Sequence, residues 1–447
     1  MSILKGNLEK KWAPLLDHKG MPKIKDEWRR AVTAIVLENQ ERETTKAAGI
    51  MGDYLTESVP VMSATTGGFG SAATATGPVA GIDPILIALV RRSMPNLVAY
   101  DVCGVQPMSG PTGLIFAMRS RYTSQSGDEA FYNEANTAFG AAGQGGTHSA
   151  NSNPFGSMTY STGANTAYGE SLSVANSTGG IGATNVIPSM AFSIEKVTAT
   201  AVTRALKAEY SVEIAQDLKA IHNLDAESEL ANILAAEILS EINREVIRAI
   251  GYGAANGAAQ TSTPGTFDLD VDASGRWSAE KFKGLFFQLE REANAIAKQT
   301  RRGRGNVVIT SSDVASALVA AGVLDYAPGL QANLEVDDAG NSFAGVLQGR
   351  YKVFVDPYAP TGPAADYFIV GYKGSSPYDA GLFYCPYVPL QMYKAVDPES
   401  FVPKIGFKTR YAVVANPFSK GSAGQSDGSV EANVNQYYRK VKVTNLF

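Results

Sequence analysis

The chain has 447 residues, 45% of them hydrophobic and 18% charged, with 44 glycines and a formal net charge of −4. That length allows two or three packed domains or one large body with insertions. The acidic balance excludes a protein that grips nucleic acid through clustered positive charge, leaving only weak, local contact with a polyanion. Two cysteines, Cys103 and Cys385, make no disulfide framework and lack the paired spacing of a zinc site, which fits a reducing compartment. The longest apolar run, residues 84–90, is too short to span a bilayer, and Lys10, Lys11, Asp17 and Lys19 interrupt any N-terminal signal core. The chain reads as a soluble cytosolic product.

Residues 1–57 carry ten basic and nine acidic side chains, whereas residues 58–82 carry none of either. Within the charged part, Trp28, Ala31, Val32, Ile35 and Val36 recur at helical spacing and mark one apolar stripe over 24–48. Gly49 and Gly52 then loosen the chain, so 1–57 is expected to be a helical arm on a flexible joint. A second helix is expected from Asp83, with Pro84 in its first turn, Arg91 and Arg92 near the negative end of its dipole, and Pro95 as its stop. Residues 96–108 read as a buried strand entering a turn. Residues 113–122 and 193–206 alternate, with Thr198, Thr200 and Val202 on one face of the latter and Val197, Ala199 and Ala201 on the other. The two predict a long two-stranded ribbon. Between them, 135–192 hold a single charge, Glu170, among Gly, Ser, Asn, Ala and Thr, yet keep rings at Phe139, Phe155, Tyr160, Tyr168 and Phe192. That composition predicts an elaborated loop ordered against a neighbour.

The strongest helix follows Asp225, where Leu230, Leu234, Ile238, Ile242, Val246 and Ile250 form a row at four-residue spacing that Gly251 and Gly253 end. An amphipathic stretch at 208–222 precedes it, completing a helical spine. A further helix at 278–299 is expected to bury Phe282, Phe286, Leu289 and Ile296. A buried strand at 306–310 and a capped helix at 311–322 follow, and then strands at 351–359, 366–374, 380–390 and 408–418. Helices in the middle and strands on both sides of them predict an α+β fold.

Patterns that carry chemistry are few. Gly424, Ser426 and Gly428 match G-x-S-x-G, but in a polar loop rather than on a strand-to-helix elbow, which reads as a surface linker. The three histidines, His18, His148 and His222, offer a triad little, and His222 at a helix end reads as a capping or core residue. Asp268, Asp270 and Asp272 hold the first alternate positions of a calcium loop, but Ala273 and Ala279 stand where that loop needs Gly and Glu, so an acidic turn is expected. Arg301, Arg302 and Arg304 form the one dense basic run, able to touch phosphates or carboxylates of a neighbouring subunit, or to end a helix in solvent. No catalytic residue, cofactor or metal site is expected.

The stretches 91–113, 206–230, 239–246, 299–311, 343–359 and 406–418, with "KKWAPLLDHKGMPKI" and "ENQERE" near the N-terminus, closely resemble the major capsid proteins of T-even-type tailed phages. The resemblance runs nearly the whole chain in collinear order. It implies an α+β Hong Kong phage 97-type capsid fold, with an N-terminal arm, a long spine helix, an extended two-stranded loop overlapping the next subunit, and peripheral and axial domains. In those terms 1–57 is a scaffold-facing propeptide removed on maturation, and 58–112 is the N-arm and the start of the peripheral domain. Residues 113–206 are the extended loop with a Gly/Ser-rich insertion, shorter and less charged than that of T-even phages, and 207–447 the spine, axial domain and remaining peripheral domain.

The function implied is that of a self-assembling shell subunit, forming hexamers of an icosahedral head that encloses DNA and expands. A prohead protease that cuts after Leu/Ile-x-Glu would match Leu55, Thr56 and Glu57, leaving Ser58 as the new N-terminus. The same pattern at Leu239, Ser240 and Glu241 lies inside the expected long helix. Implied partners are further copies of the chain, a vertex capsid protein, internal scaffold proteins and the protease, with decoration proteins and a host chaperonin beyond them. The implied place is the virion, assembled in the host bacterial cytoplasm. The alternatives are a paralogous vertex (pentamer) subunit and, from another class, a calcium-binding adhesin or hydrolase built on the Asp-rich turn.

Overall fold

Rows of apolar residues at helical spacing and alternation at period two become helices and strands in a computed structural model. It describes residues 2–17, 24, 26–56, 90–91, 94, 97–132, 134–140, 155, 159, 162–163, 188–273, 275, 277–322, 324–326, 342–360, 362, 366–397, 399, 402–421 and 426–446. The chain opens with α1 (Ser2–Leu16), α2 (Glu27–Thr56), α3 (Ala99–Val102), β1 (Gly104–Val105), β2 (Thr112–Tyr122), β3 (Met190–Thr200) and β4 (Val202–Glu209). Its middle holds α4 (Val212–His222), α5 (Ala226–Gly253), β5 (Ala254–Asn256), β6 (Thr266–Asp268), α6 (Ser278–Thr300), β7 (Val307–Thr310) and α7 (Ser312–Ala320). The last part is strand throughout: β8 (Leu324–Tyr326), β9 (Ser342–Leu347), β10 (Tyr351–Val355), β11 (Tyr367–Gly371), β12 (Leu382–Val396), β13 (Pro403–Ala415) and β14 (Asn435–Thr444). The fold is α+β.

Two compact units divide the chain. One comprises Met1–Gly113, Thr198–Lys420 and Ser426–Phe447, and the other Leu114–Val197 with Gly421–Gln425. One sheet of the first unit runs β1-β12-β13-β4, and its larger sheet runs β5-β14-β11-β7-β10-β9-β8 with β6 also on β14. Strand β7 lies parallel to β10 and antiparallel to β11, and all four of its residues are buried, as a strand covered on both faces requires. Strand β11 ends at Gly371, where an added Cβ would come within 2.6 Å of the Tyr438 ring, so only glycine lets that ring lie on the strand.

Helix α5 buries Leu234, Ile238, Ile242, Val246 and Ile250, the row read in the sequence, and Leu230 is half-buried at its start. Full burial of each such side chain is worth roughly 1.5–3 kcal/mol, so an aspartate at Ile242 would undo the unit's core. The helix runs through Gly251 and ends at Gly253. On α6 the buried stripe is Leu285, Leu289, Ala293 and Ile296, with Phe282 and Phe286 only partly covered. The rotation follows from Glu292, which is drawn inward to accept from Ala258 N at 2.8 Å, Gln288 Nε2 at 2.7 Å and Arg439 Nε at 2.6 Å.

Several local expectations change. Residues 99–102 form one helical turn rather than a strand, because an unbroken apolar run fits either buried element. Helix α4 starts only at Val212, with Ser211 Oγ accepting from Ile214 N at 3.3 Å, because Ala208 and Glu209 extend β4 against β13. Ser311 precedes α7 but donates its hydroxyl to Asp366 Oδ1 at 2.7 Å instead of capping the helix. Strand β14 was not anticipated. Of the helix expected from Asp83, only Val90 and Arg91 lie among the described helical residues. Arg91 donates to the Leu16 carbonyl at the C-terminal end of α1, at 2.9 Å.

The expected joint at Gly49 and Gly52 is helix, since α2 continues to Thr56. A glycine costs a helix interior only about 1 kcal/mol, too little to break thirty residues. The apolar stripe of α2 finds partners inside the chain: Trp12 and Leu16 of α1 and Val32, Val36 and Leu37 of α2 join the main core, and α2 packs along β12. Polar ties reinforce the seat. Lys11 Nζ pairs with Glu38 at 2.8 Å and Arg29 with Asp101 at 2.6 Å, while buried Asn39 donates to the carbonyls of Met108 at 2.7 Å and Tyr387 at 3.1 Å.

Candidate functional site

Strands β2 and β3 pair as the expected ribbon. Thr123 N donates to Ser189 O and Ala201 N to Pro111 O, both at 2.9 Å, closing the antiparallel ladder at its two ends. Period-two alternation splits its faces. Ile115, Ala117, Arg119, Glu195, Val197 and Ala199 are buried, whereas Leu114, Phe116, Met118, Met190, Phe192 and Ile194 are 50–68% exposed. The covered face holds the ionic ties: Arg119 Nε donates to Glu195 Oε2 at 2.9 Å and Arg119 Nη1 to Glu129 Oε2 at 2.7 Å. The open face carries six large apolar side chains. The sequence reading found both strands but not this face. Alternation in 114–118 and 190–194 shows that each strand has two unlike faces, but not which of them stays open. Near the ribbon, Phe131 is 82% exposed and held at φ 68°, a backbone region that favours glycine.

The segment that the resemblance marks for cleavage lies partly beyond the described residues. Leu55 and Thr56 end α2, whereas Glu57 and Ser58 are outside them. The second Leu-x-Glu sequence is inside α5, with Leu239 buried and Glu241 paired with Arg204 at 2.8 Å. His18, His148 and most of 141–187 also lie outside the described residues.

The remaining candidates resolve into structural roles. Arg302 lies 3.9 Å from Asp379, Arg304 pairs with Glu290, and Arg301 ends α6 in a left-handed conformation, so the basic run meets carboxylates of its own chain. Asp272 accepts from Ser262 Oγ at 2.6 Å, Ser262 N at 3.1 Å and Asp268 N at 3.0 Å. Partial burial pushes its carboxyl up, but those bonds outweigh it and hold the group below the usual range. Asp268 caps Asp270 N at 2.9 Å, and Asp270 pairs with Lys281, so the acidic turn spends its oxygens on its own backbone and neighbours. Ser426 is 1% exposed, not part of a surface linker, and its hydroxyl accepts from Gly428 N at 3.3 Å. His222 is exposed at the last turn of α4. Both cysteines are free and buried, and burial pushes each thiol up to about 12, far from reactive. No helix among the described residues is long and apolar enough to cross a membrane.

The family of major capsid protein Gp23 matches residues 79–443. The major capsid protein of Enterobacteria phage T4 is 36% identical over 99% of this chain and 99% of its own length. The capsid vertex protein of the same phage is 28% identical over 51% of this chain and 53% of its own. Among solved structures, the capsid of Myoviridae phage XM1 aligns with 78% of this chain and 92% of its own at 10% identity and a TM-score of 0.38, a likeness too loose to add to the family match. The relatives are named as capsid proteins, and the agreement extends from end to end: the chain, with its α+β fold, belongs to the T4-type major capsid protein family.

Proposed function

We propose that this chain is the hexamer-forming shell subunit of an icosahedral head, cleaved after Glu57 by a prohead protease and rearranged as the shell expands around DNA. The observation that carries assembly is the open face of the ribbon. Six large apolar side chains in one patch mark a surface that another molecule covers, and a further copy is the natural cover for a shell protein. The hexamer role is favoured over the vertex role because the T4 major capsid protein matches nearly end to end and the vertex protein over about half.

Cleavage is supported by position. Leu55 and Thr56 occupy the last turn of α2, and a helix end opens far more readily than the middle of α5, where Leu239 and Glu241 lie. In this reading 1–57 is the propeptide, and α1 and α2 must leave their seat once cut, uncovering the Met108 and Tyr387 carbonyls that Asn39 now satisfies. Scaffold, protease, vertex protein and further copies are its partners, and contact with DNA is weak and local.

The test is the intact mass of the chain from mature particles beside the same chain expressed alone. The expected result is a loss corresponding to residues 1–57, with Ser58 as the new N-terminus, in the particle only. A full-length chain in mature particles would overturn the maturation step and leave assembly standing.

A further inference from the structure

The C-terminal half of α5, strands β11 and β14 and the turn before β6 enclose a cavity of about 550 Å³ within the first unit. Its floor is apolar: Ile247 and Ile369 are each at most 9% exposed, and the Ile369 side chain lies beside Gly251 of α5. Four cations line it, Arg244, Arg248, Lys440 and Lys442, against a single carboxylate, Asp356. That carboxylate is already spoken for. Arg244 Nη1 donates to both of its oxygens at 2.7 Å, and Tyr367 Oη donates to Oδ2 at 2.5 Å. Arg244 and Asp356 therefore cancel, and three positive charges remain over an apolar floor.

None of those three has an anion. Lys440 donates to the Gly251 carbonyl at 2.9 Å, and burial pulls its ammonium below the usual range. The side chains of Arg248 and Lys442 have no hydrogen-bond or ion-pair partner among the described residues, and both residues are exposed at the rim. Like charges gathered around one concavity repel each other unless an anion joins them. A bare ion would use the rim and leave the floor empty, whereas the volume is that of a small-molecule site.

We infer that this cavity binds a nucleoside phosphate, with the phosphate against Arg248, Lys440 and Lys442 and the base over Ile247 and Ile369. The amide of Asn256, also on the lining, supplies a donor and an acceptor for a base edge. The same chemistry is offered by a free nucleotide and by a nucleotide of a single strand; a base paired within duplex DNA cannot enter. The inference is independent of the shell role.

The test titrates the full-length chain with thymidine monophosphate by calorimetry, beside inorganic phosphate, a short single-stranded oligonucleotide and the same sequence as a duplex. Saturable nucleotide binding is expected, weakened at least ~10-fold in the double variant Arg248→Ala/Lys442→Ala and at least ~10-fold for phosphate alone. Both variant positions are at the rim, so an unchanged melting temperature shows that the fold is kept. Competition by the single strand but not the duplex assigns the site to strands, and no competition assigns it to free nucleotide. No saturable nucleotide binding, unchanged affinity in the double variant, or phosphate binding as tightly as the nucleotide would each overturn the proposal.

Discussion

Helix α2 holds Val32, Val36 and Leu37 at no more than 1% exposure, whereas the ribbon leaves Phe116, Met118 and Ile194 at 64–68%, although both segments show one apolar face in sequence. The difference lies in who covers the face. The arm finds α1 and β12 within its own chain, and directional bonds from Asn39, Arg29 and Lys11 fix how it sits. On the ribbon the directional bonds of Arg119 lie on the covered face, and the open one carries six large apolar side chains, followed along β3 by Lys196, Thr198 and Thr200. An intramolecular seat that must hold one geometry is pinned by hydrogen bonds. Apolar contact, by contrast, has no preferred angle, so the open face by itself fixes no single geometry for whatever covers it.

The largest expected effect breaks the ribbon's own frame. Arg119→Met leaves Glu195, 8% exposed, with only the Arg121 guanidinium 3.6 Å away, and losing one partner of a buried pair costs about 3–5 kcal/mol. Hydrogen exchange across β2 and β3 should rise sharply, and Arg119→Met/Glu195→Met should recover part of the loss. If exchange there stays as slow as in the parent, the ion pair does not hold the ribbon. A smaller effect is expected on the arm. Asn39→Leu strips the Met108 and Tyr387 carbonyls of a buried donor, for a loss of about 2 kcal/mol. Exchange in α2 should quicken while α5 is unchanged; equal exchange in parent and variant would mean that apolar packing alone seats the arm.

The two regions also show what a sequence can and cannot display. The α5 row was legible because six large residues at one spacing leave no other solution, and the ribbon because alternation over ten residues does the same. Which face of the ribbon stays open was not, since alternation says only that two faces differ. The run at 96–108 fits a strand or a helical turn equally well, and only the pairing of Gly104 and Val105 with β12 decides. The basic run could not reveal its partners, because Asp379 is far along the chain from Arg302 and comes near it only through the sheet. The polar neighbours of Ser426 suggest exposure, yet it is 1% exposed, with its backbone N–H on the Pro417 carbonyl at 3.3 Å. The cleavage sequence at Leu55–Glu57 carries no physical signature of its own and was legible only by resemblance.

A pH titration separates the regions further. Burial pushes the Glu38 carboxyl up, but the hydrogen bond and charge of Lys11 outweigh it and hold the group below the usual range. A carboxyl depressed on folding adds stability above its unfolded value, ~4.3, and that stability is lost as pH falls through the folded value. Lys11 shifts the other way: burial pulls it down, the bonds to Glu38 and Glu41 push it up further, and its contribution fades only in strong alkali. Proteolysis of α2 should therefore quicken as pH drops below about 4, and Glu38→Gln should flatten that dependence. An equally steep dependence in the variant would place the acid sensitivity elsewhere.

The smallest effect on the chain itself is expected where its biological consequence is greatest. Phe116→Ser with Ile194→Ser removes two exposed side chains that contact solvent in the single chain, so its stability should change by no more than about 0.5 kcal/mol. The same change should abolish or severely weaken particle formation, read as the fraction of chain sedimenting with shells, because burial of that face is the gain that association needs to offset its entropic cost. Shells formed at the parent yield would mean that the open face is covered by something other than a neighbouring copy. A variant that melts well below the parent would mean that the face is packed within the chain, and the contrast with the arm would vanish. Only stability kept with assembly lost fits a surface built for a second molecule.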